Sequence, residues 1–326
     1  MKIFKEFVLA SAPGKCILFG EHSVVYGYPA ISMGISLKSK CMIKKVEQNG
    51  IQINLKNFND HYEFTNLKQL INDPSFNHSQ IKKGLKLISS KLKKELNNII
   101  IEISSDLLTG SGLGSSASTS VALMAALNDF YDLNLSKREL SKLAYELEKI
   151  VHGTPSGIDN TTCTFGNLIY FQNNEFKILN IPRDFNLIIT YTGVIHKTAK
   201  AINHIKKVKD QYPILTSIIL QNIGKITQIA REEIRNENLD GIGTLMNMNQ
   251  GLLSSLGVSN HVISHINEIS LENGAYGSKL TGAGLGGCVV TLGTDLHNLS
   301  NILNKKGYKN FLVEVDKEGV KIEECR

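Results

Sequence analysis

At 326 residues, 42% hydrophobic and 20% charged, the chain has the composition of a soluble globular protein, and its length predicts two domains rather than one core. The formal net charge of +6 is spread along the chain; it does not require nucleic acid as a partner and suits anionic small-molecule substrates. The five cysteines never stand at Cys-x-x-Cys spacing, which excludes the usual patterns of disulfide frameworks and zinc sites and points to a reducing compartment, the cytoplasm. Each cysteine reads as a small buried hydrophobe. No apolar run reaches the ~18 residues of a membrane span. Residues 1–15 lack an apolar core of secretory-leader length, so no leader is expected.

Residues 5–55 read as short strands at 7–10, 17–19, 30–37, 41–46 and 51–55, broken by Gly and Pro. Residues 56–79, polar and rich in Asn and Asp, read as loop. A helix is predicted over 80–96: Ile81, Leu85, Ile88 and Leu92 form its apolar stripe, and Lys82, Lys83, Lys86, Lys91, Lys93 and Lys94 its solvated face. A strand at 99–104 runs into a glycine loop, and a helix over 115–131 follows, with Val121, Met124, Leu127 and Tyr131 at helical spacing. The next helix, 136–151, opens on a capping box of Ser136 and Glu139. Residues 152–160 form a turn-rich loop, and short strands are expected near 167–171 and 176–180. The segment Asn180–Asp184 is the expected domain boundary. Beyond it the pattern is a strand at 187–190, a helix-rich run to 272, a strand, a third glycine loop and another strand, then a helix at 296–305 and a strand at 310–315. Strands and helices mix in both halves, which implies α+β domains rather than a regular βαβ array.

The most informative stretch is Leu108–Thr119, LTGSGLGSSAST. Gly110, Gly112 and Gly114 let the backbone approach a ligand closely and adopt positive φ. The N–H groups and dipole of the following helix start favour an anion, and Ser115 and Ser116 add hydroxyls for a phosphate oxygen or a metal. The loop lacks the lysine of a Walker A motif, and serine at 115 breaks the Rossmann spacing. Taken alone, it reads equally well as a tight turn with serine caps.

Three glycine-bearing segments occur in the order Ala12–Gly27 (APGKCILFGEHSVVYG), Leu108–Thr119 and Lys279–Cys288 (KLTGAGLGGC). Together they resemble the GHMP kinase family of galacto-, homoserine, mevalonate and phosphomevalonate kinases. Within it, Gly20–Gly27 and His152–Asn160 (HGTPSGIDN) most resemble the mevalonate kinases; Ser23, Val24 and Val25 stand where a galactokinase is expected to carry an acidic residue. Leu108 and Thr109 replace a proline frequent in the family, which removes no chemical group. The resemblance implies a two-domain α+β GHMP kinase fold. Its nucleotide-binding N-terminal domain, 1–182, would be like ribosomal protein S5 domain 2, and its C-terminal domain, 183–326, ferredoxin-like with extra helices. It further implies ATP-dependent phosphorylation of the C5 hydroxyl of (R)-mevalonate with Mg²⁺, in isoprenoid biosynthesis. The expected partners are mevalonate and ATP, with no nucleic acid and no membrane, and a homodimer is compatible with the sequence. The alternatives are another GHMP kinase, acting on phosphomevalonate or a related alcohol, and a GHMP-fold sensor that binds ligand without turnover. A sensor has no need of Lys15, Ser116, Glu148 and Asp159 together, and all four are present.

By the same resemblance Asp159 is the catalytic base or orienting group, in a loop of turn residues, and Lys15 offers a compact cation to the nucleophile and the transferring phosphoryl group. From the residues alone Asp159 reads as a turn or cap aspartate, and Lys15 as a solvated lysine. The stripe Leu140, Leu143, Leu147 and Ile150 puts Glu146 and Glu148 on opposite flanks of one helix, so periodicity does not choose between them. The family's spacing to the catalytic aspartate points to Glu148 as a magnesium ligand, with the Ser116 hydroxyl as its companion. The nucleotide falls to Gly110, Ser111, Gly112, Leu113, Gly114, Ser115 and Ser116. Mevalonate falls to Glu21, His22, Ser156 and Thr198, the last in the segment Gly193–Thr198. The third loop, with Gly282, Ala283 and Gly284, either supports the second and closes over the site or is a strand-connecting turn that touches no ligand.

Overall fold

The structure, a computed structural model, describes residues 5–152, 155–195 and 198–326. In chain order the first part holds β1 (Phe7–Phe19), a 3₁₀ turn (Ser23–Tyr26), β2 (Ala30–Lys45), β3 (Ile51–Leu55), β4 (Asp60–Phe64), α1 (Leu67–Asn72), α2 (Ser79–Leu92), β5 (Ile99–Ser105), α3 (Ser115–Phe130), α4 (Lys137–His152), α5 (Ile158–Phe165), β6 (Leu168–Gln172) and β7 (Glu175–Leu179). The second part holds β8 (Leu187–Tyr191), α6 (Thr198–Gln211), α7 (Pro213–Arg235), α8 (Leu239–Ser255), α9 (His261–Glu272), β9 (Gly277–Thr281), β10 (Cys288–Leu292), α10 (Leu296–Lys305), β11 (Asn310–Val313) and β12 (Lys321–Cys325). Among the described residues the strands form two sheets. The larger runs β12-β1-β2-β5-β3-β4, with β6 paired on β2 and β7 on β6; the smaller runs β11-β8-β10-β9 and is antiparallel throughout.

The long antiparallel pair β1–β2 is the axis of the larger sheet. Its register shifts between Pro13 and Gly14. Proline cannot donate to the ladder, and a Cβ at Gly14 would run into Leu107. The resulting bulge re-aims the residue that follows it, Lys15. Across this pair lies α3, buried on nearly every face. The Ser118 hydroxyl, one turn into α3, donates to the Ala12 carbonyl at 2.8 Å and so ties the helix to β1. The core beneath is apolar and continuous from β1–β5 through α2, α3 and α4; a second core fills the space between the two sheets.

Several local expectations are corrected. The strands read at 7–10 and 17–19 are one bulged strand. Residues 56–79 hold β4 and α1 rather than loop alone. β4 is an edge strand with polar residues on its outer face, which hid its pattern. Its Tyr62 and Phe64 pack on the fully buried Phe76, with ring centroids 4.8 and 5.4 Å away. Burying one such ring contributes about 1.5–3 kcal/mol. The Lys-rich helix stops at Leu92, where Lys93 turns left-handed. The loop read at 152–160 ends inside α5, because Gly157 at φ 84 starts a helix at Ile158. Its Thr161, Thr162 and Thr164 are poor helix formers and left no helical signal, yet their hydroxyls bond back one turn to backbone carbonyls. The final strand β12, for which no expectation was drawn, pairs with β1 from Val8 opposite Cys325 onward. Residues 321–325 therefore belong to the first sheet, although the range 183–326 grouped them with the second half. Cys325 is exposed, whereas Cys16, Cys41, Cys163 and Cys288 are buried, and all are free thiols. Among the described residues no helix is long and apolar enough to cross a membrane.

Candidate active site

The bulge in β1 points Lys15 inward, and its backbone N–H donates to the Leu113 carbonyl at 2.8 Å. The Lys15 side chain is buried, with Nζ 3.1 Å from Oδ1 of Asp159. Asp159 stands in the first turn of α5, not in a loop, and its side chain keeps 32% exposure, enough to meet a ligand. Burial works against the Lys15 ammonium, but the charge and hydrogen bond of Asp159 outweigh it and hold the pKa above the usual lysine value. The pair therefore sets a buried ammonium beside a partly open carboxylate.

Glu148 faces the same space from α4 and is 2% exposed. Burial and the neighbouring charge of Asp159 push its carboxyl well above the usual carboxylate range, against the opposing pull of Lys15. Glu146, on the other flank, is exposed and pairs with Lys149 at 2.6 Å. Packing thus separates two glutamates that periodicity could not.

The glycine loop arrives from β5. Gly110, Gly112 and Gly114 take φ values of 70, 79 and 74°. Gly114 itself caps α3, with no side-chain cap bond, so the serines do not serve as caps. Instead the Ser116 hydroxyl accepts a hydrogen bond from Nε2 of Gln80 at 2.6 Å. The Ser111 hydroxyl is buried without a partner. Leu113 points into the core between the sheets rather than toward a ligand. The third loop packs on the second: a Cβ at Gly282 would stand 3.4 Å from the Gly112 carbonyl oxygen.

These segments enclose a cavity of about 330 Å³ lined by Lys15, Glu148, Asp159, Ser115, Ser116 and the glycines 110, 112 and 114, together with Glu21, His22, Ser156, Thr198, Gly282 and Ala283. Of the residues singled out from the sequence, Leu113 and Gly284 do not line it; Gly284 lies against Val258. His22 donates from Nε2 to the Ala283 carbonyl at 2.9 Å. Ser156 Oγ accepts from the Ile158 N–H at 3.4 Å, at the start of α5. The Glu21 carboxylate is held by Lys279 and Asn249. Gly153, Thr154, His196 and Lys197 of the quoted segments lie outside the described residues. A second cavity of about 350 Å³ shares Gly110, Ser115 and Ser116 with the first and is walled by Phe58, His78 and Leu107. Sequence reasoning missed Gln80, Asn249 and Lys279. Lys279 heads the third glycine segment, but nothing in its neighbours marks it as buried; Gln80 and Asn249 carried no signal.

Residues 79–167 match the family model of the GHMP kinases N terminal domain, and residues 230–309 that of the GHMP kinases C terminal. The mevalonate kinase of Thermococcus sibiricus is 33% identical over 97% of this chain and 98% of its own length. Among solved structures, the Methanococcus jannaschii mevalonate kinase superposes with a TM-score of 0.85 at 32% identity, over 94% of this chain and 98% of that one. The L. major mevalonate kinase in complex with R-mevalonate gives a TM-score of 0.80 at 30% identity over 97% of each chain. With both halves matched and likeness extending over nearly the whole length, this chain belongs to the GHMP kinase family, on its mevalonate kinase branch, and is a kinase.

Proposed function

We propose that this kinase transfers the γ-phosphoryl group of ATP to the C5 hydroxyl of (R)-mevalonate, giving 5-phosphomevalonate and ADP, with Mg²⁺ as cofactor. The observation that carries the reading is the Lys15–Asp159 contact of 3.1 Å in a cavity walled by a glycine loop. Phosphoryl transfer asks a protein for positioning and charge neutralisation more than for covalent chemistry. Asp159 takes or orients the hydroxyl proton as the new O–P bond forms. Lys15 holds positive charge against the attacking oxygen and the transferring group. The N–H groups at the start of α3 and the glycine loop cradle the phosphates, and the adjoining cavity walled by Phe58 and His78 offers room for the nucleoside. Relatives named mevalonate kinase, one of them solved with R-mevalonate, support this acceptor. Free thiols fit a cytoplasmic setting.

Ser116 and Glu148 fit a magnesium ion. The Glu148 carboxyl is buried and pushed up by desolvation and by Asp159, a situation that a nearby divalent cation relieves by favouring the carboxylate. Ser116 accepts from Gln80 and retains acceptor capacity on its hydroxyl. Two oxygen donors, with phosphate oxygens and water for the rest, suit Mg²⁺. Bound there, the ion would neutralise charge on the phosphates.

A coupled ADP-release assay with mevalonate, phosphomevalonate, galactose and homoserine tests the acceptor. Turnover is expected with mevalonate. Activity on galactose or homoserine with none on mevalonate would overturn the acceptor and leave the kinase.

A further inference from the structure

Lys279, on β9, is a fully buried lysine, and Glu21, between β1 and the 3₁₀ turn, is its fully buried partner. Lys279 Nζ donates to Glu21 Oε1 and, at 2.6 Å, to the Leu280 carbonyl. Asn249, on α8, donates to the second Glu21 oxygen at 3.0 Å. The knot joins the two halves of the fold. Beside it, Ile17 N–H donates to the Thr281 hydroxyl at 2.8 Å, and that hydroxyl donates back to the Ile17 carbonyl at 3.0 Å.

A buried ion pair adds little stability over apolar residues of the same volume, because desolvating two charges offsets their attraction. Stability alone is therefore a poor reason for this one. Its neighbours supply a better one. Glu21 leads directly into His22, whose φ of 60° is left-handed and whose Nε2 donates to the Ala283 carbonyl of the third glycine loop. Glu21, His22 and Ala283 all line the cavity that holds Lys15 and Asp159. The Glu21 side chain has no exposed surface, so its charge faces Lys279 and Asn249 rather than a ligand.

We propose that Lys279 is a positioning residue for the acceptor alcohol: acting through Glu21, and with Asn249, it fixes the Glu21–His22 wall of the cavity against the third glycine loop. This rests on the acceptor reading above. Lys279 does not touch substrate. It converts the seating of β9 and α8 on the first sheet into the placement of two residues at the reacting end of the cavity.

The test uses the full chain and whichever alcohol the parent enzyme turns over, so a failed acceptor assignment is seen in the parent before any variant is compared. Lys279→Met keeps a long unbranched side chain, one heavy atom shorter than lysine, and leaves Glu21 buried without its cation. The double variant Glu21→Gln/Lys279→Met removes both charges. In Lys279→Met the KM for the acceptor is expected to rise about tenfold or more while the KM for ATP stays near parent, since small displacements at a reacting centre carry such costs. If Lys279→Met does not fold, the double variant decides: a raised acceptor KM with parent-like ATP KM supports positioning, and a parent-like acceptor KM overturns it. In a folded Lys279→Met, a lowered Tm with unchanged acceptor KM, or equal rises in both KM values, also overturns it.

Discussion

Replacing Gly114 with alanine perturbs the proposed phosphate cradle and the proposed catalytic pair, Lys15 and Asp159, together. Gly114 sits at φ 74°, where an alanine costs roughly 1–2 kcal/mol of left-handed strain. Its new Cβ would stand 2.8 Å from Cγ and 3.3 Å from Cε of Lys15, whereas non-bonded carbons settle at about 3.5–4.0 Å. Lys15 is buried and tied to Asp159 at 3.1 Å, so its stem must swing and carry Nζ off that contact. A displacement on the order of 1 Å at a reacting centre costs about 10²-fold in rate, which is ~2.7 kcal/mol of barrier. The expected variant is folded by circular dichroism, binds a non-hydrolysable ATP analogue more weakly by titration calorimetry, and shows kcat in the ADP-release assay lowered about 10²-fold. Gly114→Val, bulkier at the same point, should abolish analogue binding. The control is Gly251→Ala on α8, where a Cβ meets nothing within 4 Å; it should keep parent kinetics and gain ~0.5–1 kcal/mol as a helix-interior glycine replaced. Gly84, remote by sequence, is a poorer control, because a Cβ there meets Leu123 at 3.3 Å and Leu147 at 3.4 Å. A folded Gly114→Ala with parent kcat and parent analogue affinity would refute both the cradle and the link to Lys15.

Asp159→Asn should keep analogue binding and lower kcat by roughly 10²–10⁴, the usual worth of a positioned acid–base group; near-parent turnover would return Asp159 to the role of a helix-start carboxylate. Ser116→Ala and Glu148→Gln should each raise the free Mg²⁺ needed for half-maximal kcat. Glu146→Gln, on the exposed flank beside Lys149, should leave that midpoint unchanged, and equal shifts at 146 and 148 would reject Glu148 as the metal ligand.

The features legible in the sequence are those whose physical demand is met within a few residues. The capping box is one: Ser136 N–H reaches Glu139 Oε2 at 2.8 Å, and Glu139 N–H reaches Ser136 Oγ at 3.3 Å. The glycine loop is another, since the positive φ values at 110, 112 and 114 suit glycine far better than other residues. The α3 pattern also survived, as a helix from Ser115 to Phe130. What stayed hidden depends on which distant segments arrive. β4 reads as loop until Phe76 covers its inner face, and α5 reads as loop because its threonines bond to a backbone already placed by Gly157. Glu146 and Glu148 are chemically identical on one helix, and only what packs against each flank buries one and exposes the other. Lys279 finds Glu21 258 positions away. A backbone constraint leaves its mark in the local sequence, whereas burial and charge pairing are properties of the assembled interior, so the tertiary structure alone could decide them.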